Sequence, residues 1–348
     1  MNNFKICVDK FEKMVKDKKI IFFDSFEFEN IILHYLDNGK LGLAKKALSI
    51  SLNQYPFNLN LSLLQAEIYI HEDKFNDSIE LIDSLLNIEK NNSDALVLKA
   101  NVLSKMKKHK EAINILKNIV NKIENKNEIY NQIGLEFLFL EKYEISISYF
   151  EKSLCYDKND NSIIYNIIYC FEKNRKSKGL FNFLKQYLEK NPFSELAWYK
   201  LGNEYKKLKK YEMALAAFDF SIISDENFNK AYVVKGLLLE KLFRYDDAIK
   251  NYEEMINHCS ESSNLLFRIA VCFEKKHFYK NSIKFYHKCI DIDPKMHEAY
   301  FRIGMFYYKR ERFEKAIKFI EKAINLKQDK STYWKMYLKC FSLNSINC

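Results

Sequence analysis

Side chains able to do chemistry are thinly spread in this sequence. Its histidines, His34, His71, His109, His258, His277, His287 and His297, have no acidic residue at a recurring distance. Its cysteines, Cys7, Cys155, Cys170, Cys259, Cys272, Cys289, Cys340 and Cys348, include no CxxC pair, so neither a zinc cage nor a dithiol redox centre is written into their spacing. Reduced thiols acting as small hydrophobes are expected instead. The nearest approach to a nucleophile and base is His258 beside Cys259. Adjacent helical residues point about 100° apart, so that pair reads as helix-end packing. The phosphate-loop, zinc-protease and nucleophile-elbow signatures (GxGxxG, GxxxxGK followed by Ser or Thr, HExxH, GxSxG) are all absent. What remains is binding chemistry, carried by 28 Phe, 23 Tyr and 56 Lys plus Arg. No catalytic residue, metal or cofactor is expected, and the class of function is binding.

The elements that must position these rings and cations are helices. Seven Gly and three Pro in 348 residues leave few sites for hairpin turns. The prolines also reveal a period, since Pro56, Pro192 and Pro294 are separated by 136 and 102 residues, four and three multiples of 34. Placing each proline at position 32 of a 34-residue frame starts units at Ser25, Leu59, Ser93, Asn127, Asn161, Glu195, Asn229, Ser263 and His297. Position 11 is then large and apolar in every unit, from Tyr35 to Tyr307, and so is position 24, from Leu48 to Ile320. Position 20 is Ala or Ser in eight of nine units, and position 8 gathers Gly134, Gly202, Gly236 and Gly304. Apolar positions 4, 7, 8 and 11, and again 17, 20, 24 and 27, follow helical spacing. Each unit is therefore two helices, A and B, and neither buries its apolar face alone, so neighbouring units must stack.

The unit beginning at Glu195, with Trp198, Leu201, Gly202, Tyr205, Tyr211, Ala214 and Phe218, resembles the tetratricopeptide repeat. That resemblance implies an all-α, right-handed superhelical solenoid of nine helix-turn-helix units: 25–58, 59–92, 93–126, 127–160, 161–194, 195–228, 229–262, 263–296 and 297–330. Capping helices are expected in 1–24, from Phe4, Val8, Phe11 and Val15, and in 331–348, where Trp334, Tyr337, Leu338 and Phe341 take positions 4, 7, 8 and 11 of a tenth frame. The fifth unit departs from the pattern, with Ile168 and Leu180 at the small positions 8 and 20 and Tyr187 at position 27. A local change of geometry is expected there.

The resemblance also implies a concave groove lined by helix A positions 2, 5, 6, 9, 12 and 13. From the fifth unit onward these include Tyr165, Tyr199, Val233, Phe267 and Phe301 at position 5, Lys200, Arg268 and Arg302 at position 6, and Tyr169, Asn203, Leu237 and Met305 at position 9. An aromatic floor edged with cations suits a protein or peptide partner having apolar anchors beside acidic residues. The bland reading is that the aromatics pad one helix A against the next. The carboxylate clamp of some relatives is not met, because Tyr199, Asn203, Val234, Asn264 and Arg268 supply two of its five residues.

Charge suggests a second surface. Residues 161–348 hold 34 Lys plus Arg against 22 Asp plus Glu, while residues 1–160 hold 22 against 24. Position 13 is Lys173, Lys207, Lys241, Lys275 and Lys309 in this basic half, a ridge that would attract nucleic acid or another polyanion. Against this, a Lys in the last turn of a helix complements the helix dipole. Residues 1–20 carry Lys5, Asp9, Lys10 and Glu12 where a signal peptide would be apolar, and no later stretch approaches the ~18 apolar residues of a membrane span, so a soluble, cytoplasmic protein is expected. The partner's identity and the oligomeric state are not written in the sequence.

Overall fold

The computed structural model describes residues 2–17, 21–123, 125–157, 160–258 and 261–347. Among them every regular element is a helix. The chain forms two compact units, Met1–Lys176 and Ser177–Cys348. The first holds α1 (Asn2–Asp17), then the pairs α2 (Ser25–Asp37) and α3 (Leu41–Gln54), α4 (Leu59–His71) and α5 (Phe75–Ile88), α6 (Ser93–Lys105) and α7 (His109–Ile119), α8 (Lys126–Phe139) and α9 (Tyr143–Leu154), and finally α10 (Asn161–Lys173). The second holds α11 (Ser177–Lys190), then the pairs α12 (Glu195–Lys207) and α13 (Tyr211–Ser224), α14 (Asn229–Lys241) and α15 (Tyr245–His258), α16 (Ser263–Lys275) and α17 (Tyr279–Ile292), α18 (His297–Tyr308) and α19 (Phe313–Leu326), and α20 (Ser331–Asn347). The division falls in the turn of the fifth repeat, whose bulky Ile168 and Leu180 are each buried within their own unit.

The 34-residue frame is visible in the backbone. Eight of the nine A helices begin at frame position 1, and α8 begins one residue early at Lys126. The residue before the helix accepts a hydrogen bond from its first turn at Asn58, Asn92, Ser194 and Ser262, satisfying N–H groups that the helix leaves free. Each A helix stops the same way. Position 15 takes a left-handed conformation in all nine repeats, Gly39 (φ 68°) in the first and non-glycine residues such as Lys209 (φ 58°) and Phe243 (φ 60°) in the others. That twist lets the N–H of position 16 reach the carbonyl of position 11, from Lys40 to Tyr35 at 2.8 Å through Arg312 to Tyr307 at 3.0 Å, closing a Schellman turn.

Within a repeat the two helices touch where small residues face large ones. A Cβ added at Gly134 would sit 2.6 Å from the Phe150 ring, and one at Gly202 would sit 2.6 Å from Phe218, so position 24 occupies the space that position 8 leaves empty. Serine replaces alanine at position 20 without an unsatisfied hydroxyl, because Ser78 donates to the Ala66 carbonyl at 2.9 Å and Ser146 to Gly134 at 2.7 Å. Between repeats, positions 3 and 10 of helix A meet the preceding helix B, as Ala95 and Val102 meet Ile82.

α1 buries Val8, Phe11 and Met14 in a cluster with Phe23, Phe28 and Tyr35. At the other end α20 covers α19 with Tyr333 and Cys340, positions 3 and 10 of its frame. Of the four residues expected to do the covering, Tyr337 packs against this cluster, whereas Trp334, Leu338 and Phe341 are 44%, 63% and 58% exposed. The reason is geometric: positions 4, 8 and 11 serve the helix B that follows in a full repeat, and α20 uses only the face that meets the helix B before it.

A candidate peptide groove

In the second unit the A helices of repeats seven to nine, α14, α16 and α18, border an open groove of about 430 Å³. Val233 and Leu237 from α14 and Phe267 and Arg268 from α16 line it, joined by Met255 from α15 and by Met296, the residue before α18. Val233 and Leu237 are exposed, whereas Phe267 is half-buried with its ring 5.5 Å from that of Tyr286. Phe267 is thus both part of the core and part of the groove wall.

Arg268 and Arg302 are each tied to the preceding repeat. Arg268 lies 3.5 Å from Glu240, and Arg302 lies 3.3 Å from Glu274. Each carboxylate also accepts a hydrogen bond from the buried position 24 ring of its own repeat, Tyr252 to Glu240 and Tyr286 to Glu274, both at 2.7 Å. The pattern is one device used twice: Tyr at 24 and Glu at 12 in one repeat hold Arg at 6 in the next. Burial, together with the adjacent carboxylate, pushes both tyrosine hydroxyls well above the usual phenol range. The exposed edge of each guanidinium keeps N–H donors for a ligand.

The other candidate residues are dispersed. Tyr165 and Tyr169 are exposed on α10, in the first unit. Tyr199 is half-buried, its ring 6.1 Å from Phe218 and 5.5 Å from Phe228. Asn203 donates to the Tyr199 carbonyl at 3.0 Å, and Lys200 is half-buried on the same helix. Phe301 stacks on Tyr333 at 4.3 Å and so pads α18 against α20. Arg302 and Met305 line a narrow crevice with Glu274 and Tyr286. The groove therefore unites Phe267 and Arg268 with two methionines that the repeat frame did not single out. A signal existed for one of them, since Met296 occupies the cap position that Asp24, Asn58, Asn92, Asp160, Ser194 and Ser262 hold before six other repeats.

The basic ridge is partly neutralised by its own neighbours. Lys207 pairs with Glu204 at 2.5 Å, Lys241 donates to the Tyr211 hydroxyl at 3.1 Å, and Lys173 lies over the Tyr169 ring at 5.4 Å. Beside them Arg244 pairs with Asp247 at 2.8 Å and with Glu212 at 3.3 Å, and Lys276 pairs with Asp246. Lys275 and Lys309 are exposed at the ends of their helices.

His258 lies 3.5 Å from Glu226, and Cys259 falls outside the described residues. Cys170, Cys272, Cys289 and Cys340 are free and buried, whereas Cys155 is exposed. Burial pushes the Cys272 and Cys289 thiols up to about 12. Among the described residues no group of three or more His, Cys, Asp or Glu could hold a metal ion, and no helix is long and apolar enough to cross a membrane.

A family model for the tetratricopeptide repeat matches residues 128–160, 196–219, 230–257 and 297–330. A second model, described as anaphase-promoting complex, cyclosome, subunit 3, matches residues 34–119. No curated protein sequence matches significantly. Among solved structures, the C-terminal part of a TPR repeat-containing protein from Cytophaga hutchinsonii aligns at 14% identity and a TM-score of 0.55, covering 68% of this chain and 97% of that one. YrrB, described as a TPR protein with an unusual peptide-binding site, aligns at 19% identity and a TM-score of 0.45, covering 54% and 96%. A chain of the APC/C hetero-tetramer Cut9-Hcn1 aligns at 14% identity and a TM-score of 0.40, covering 91% and 63%. With repeat models matched in both compact units and one helix-turn-helix geometry recurring every 34 residues, this chain belongs to the tetratricopeptide-repeat family.

Proposed function

We propose that this chain is a non-catalytic interaction scaffold whose second unit holds a peptide segment of a partner protein on α14, α16 and α18. The observation that carries the reading is the open groove of about 430 Å³, in which exposed Val233 and Leu237, the edge of Phe267 and the largely buried Met255 and Met296 stand around the guanidinium of Arg268, with Glu298 on the α18 side paired to Lys330. An apolar wall carrying a few polar groups is the make-up of a recognition site. Glu240 orients Arg268 without enclosing it. The ligand that fits is an aromatic or aliphatic residue next to Asp or Glu, the carboxylate taking the remaining N–H donors. The polyanion reading of the ridge is weaker, because three of its five lysines already contact a carboxylate, a hydroxyl or a ring within their own helix or the preceding repeat.

Panning a random displayed-peptide library on the protein tests this directly. Enriched sequences should place an apolar residue beside an acidic one, and Phe267→Ala should weaken a selected peptide by about 1–2 kcal/mol. Arg268→Gln should remove the preference for the acidic neighbour. Phosphate-dominated binding weakens steeply with salt, whereas binding to this groove should not. Peptides indifferent to both changes, but lost when Lys207, Lys241, Lys275 and Lys309 become Glu, would replace the groove by the ridge.

A further inference from the structure

The first unit has an open groove of its own, of about 510 Å³, with the opposite charge. Its apolar wall includes Leu33, Leu63 and Val97, from positions 9, 5 and 5 of the first three repeats. Four carboxylates, Glu29, Glu67, Asp94 and Glu128, share the lining, which contains no Lys, Arg or His. We propose that this groove docks an amphipathic, cationic peptide segment, its apolar side chains on Leu33, Leu63 and Val97 and its Lys or Arg side chains on the four carboxylates.

Two of the acids have an ordinary explanation and two do not. Asp94 and Glu128 stand in the first turns of α6 and α8, where a carboxylate complements the helix dipole. Glu29 and Glu67 stand deeper in α2 and α4, beyond that effect. Burial holds the Glu67 carboxyl above the usual carboxylate range; His71, one turn on in the same helix, opposes the rise and Asp37 adds to it. The native protein thus keeps a partly desolvated acid on a groove wall whose lining holds no Lys, Arg or His, and a bound ammonium or guanidinium would supply the missing charge. The acidity is local: residues 1–176 hold 25 Lys plus Arg against 25 Asp plus Glu, and the whole chain is +10, so diffuse attraction does not favour a cation here. The apolar wall, of which Leu33 is 41% exposed, separates this groove from a simple charged patch.

The test uses the full chain and two fluorescent synthetic peptides, one of Leu and Lys at helical spacing and one of Leu and Glu, titrated by anisotropy. The Leu/Lys peptide should bind through Glu29 and Glu67, whereas any binding of the Leu/Glu peptide should be untouched by changes at these two acids and be lost with Phe267→Ala and Arg268→Gln. Glu29→Gln with Glu67→Gln should weaken binding by about tenfold or more, and so should Leu33→Ser. Phe267→Ala with Arg268→Gln, in the other groove, should leave Leu/Lys binding as it is, so failure here is separable from failure of the reading above. Stability supplies a second readout. Because the folded-state pKa of Glu67 is raised, the native state gains relative stability as pH falls and carries the burden of the ionised form at neutral pH. Glu67→Gln should therefore melt higher than wild type at pH 7 while binding the Leu/Lys peptide more weakly. A variant that lost both would make Glu67 a structural carboxylate and overturn the proposal. Leu/Lys binding that survives Glu29→Gln with Glu67→Gln would also overturn it, as would concentration-dependent self-association abolished by Lys207→Glu and Lys241→Glu, which would make a second copy the occupant.

Discussion

Cysteine in this chain works as a core residue rather than a reactive one. The sulfur of Cys272 is enclosed near Glu240, and enclosure disfavours its thiolate, as it does that of Cys289. At pH 8 an alkylating reagent should modify Cys155 rapidly and leave Cys170, Cys272, Cys289 and Cys340 untouched until the protein is unfolded. Raising the pH should not release the buried thiols, whose ionisation burial pushes up; native labelling of Cys272 at the rate of Cys155, read by mass spectrometry, would contradict the packing. The arginines show the same dependence on neighbours. Replacing Arg268 or Arg302 by Glu would set a like charge against Glu240 or Glu274, which already accept from buried tyrosines. Loss of binding in such variants would mix unfolding with lost recognition. Neutral Arg268→Gln separates the two.

At the scale of one helix pair, backbone and side chain make opposite demands on glycine. Position 15 needs a left-handed residue, and eight repeats place a non-glycine there, among them Phe243 at φ 60° with its ring 78% exposed. Phe243→Gly should stabilise the protein by about 1 kcal/mol, because an L-residue in that conformation costs roughly 1–2 kcal/mol and little buried area is lost. Position 8 needs no Cβ for a different reason, since Gly202 lies under the Phe218 ring. Gly202→Ala should destabilise by about 1–3 kcal/mol despite alanine's better helix propensity. Denaturant unfolding of the two variants should move in opposite directions. The basic residues at position 16, Lys40 to Lys210 and Arg244, belong to the same turn, where a cation beside the last carbonyls of helix A complements the dipole.

Contacts in stacked repeats run between neighbours, so each end of the chain depends on what covers it. Tyr333 of α20 stacks on Phe301 and shares a hydrogen bond with His297 at 2.9 Å, while Cys340 packs with Ile320 and Ile324. Removing residues 331–348 should expose this cluster and lower the melting of the second unit. Light scattering should report aggregation, whereas hydrogen exchange in α2 to α7 should be unchanged. A truncated protein that stayed monomeric with the same melting point would show that α20 is not a cover. Charge is also distributed by unit: residues 177–348 hold 31 Lys plus Arg against 21 Asp plus Glu, which is the whole excess of the chain.

The period, the helix pairs and the small-against-large contacts were legible from residue types alone. Every repeat solves the same packing problem, so Gly134, Gly202 and Gly236 fall at one position and Phe150, Phe218 and Tyr252 at its counterpart. Nine copies of one constraint leave a mark that a single sequence reveals. The binding surfaces were legible only in part, because they depend on partners that the period does not dictate. Glu274 and Arg302 are 28 residues apart and belong to different repeats, so their pairing follows from how α16 and α18 lie side by side. The acidic groove draws on residues from Glu29 to Glu128, spread over four repeats and individually ordinary as surface acids. Which face of α20 turns inward was decided in the same way: its sequence offers two apolar faces, and the helix before it selects Tyr333 and Cys340 over Trp334 and Leu338. Burial of repeated faces is a local demand and leaves its trace at fixed spacing, whereas the charge and shape of a groove arise where side chains from several helices converge, and only the tertiary structure brings those side chains together.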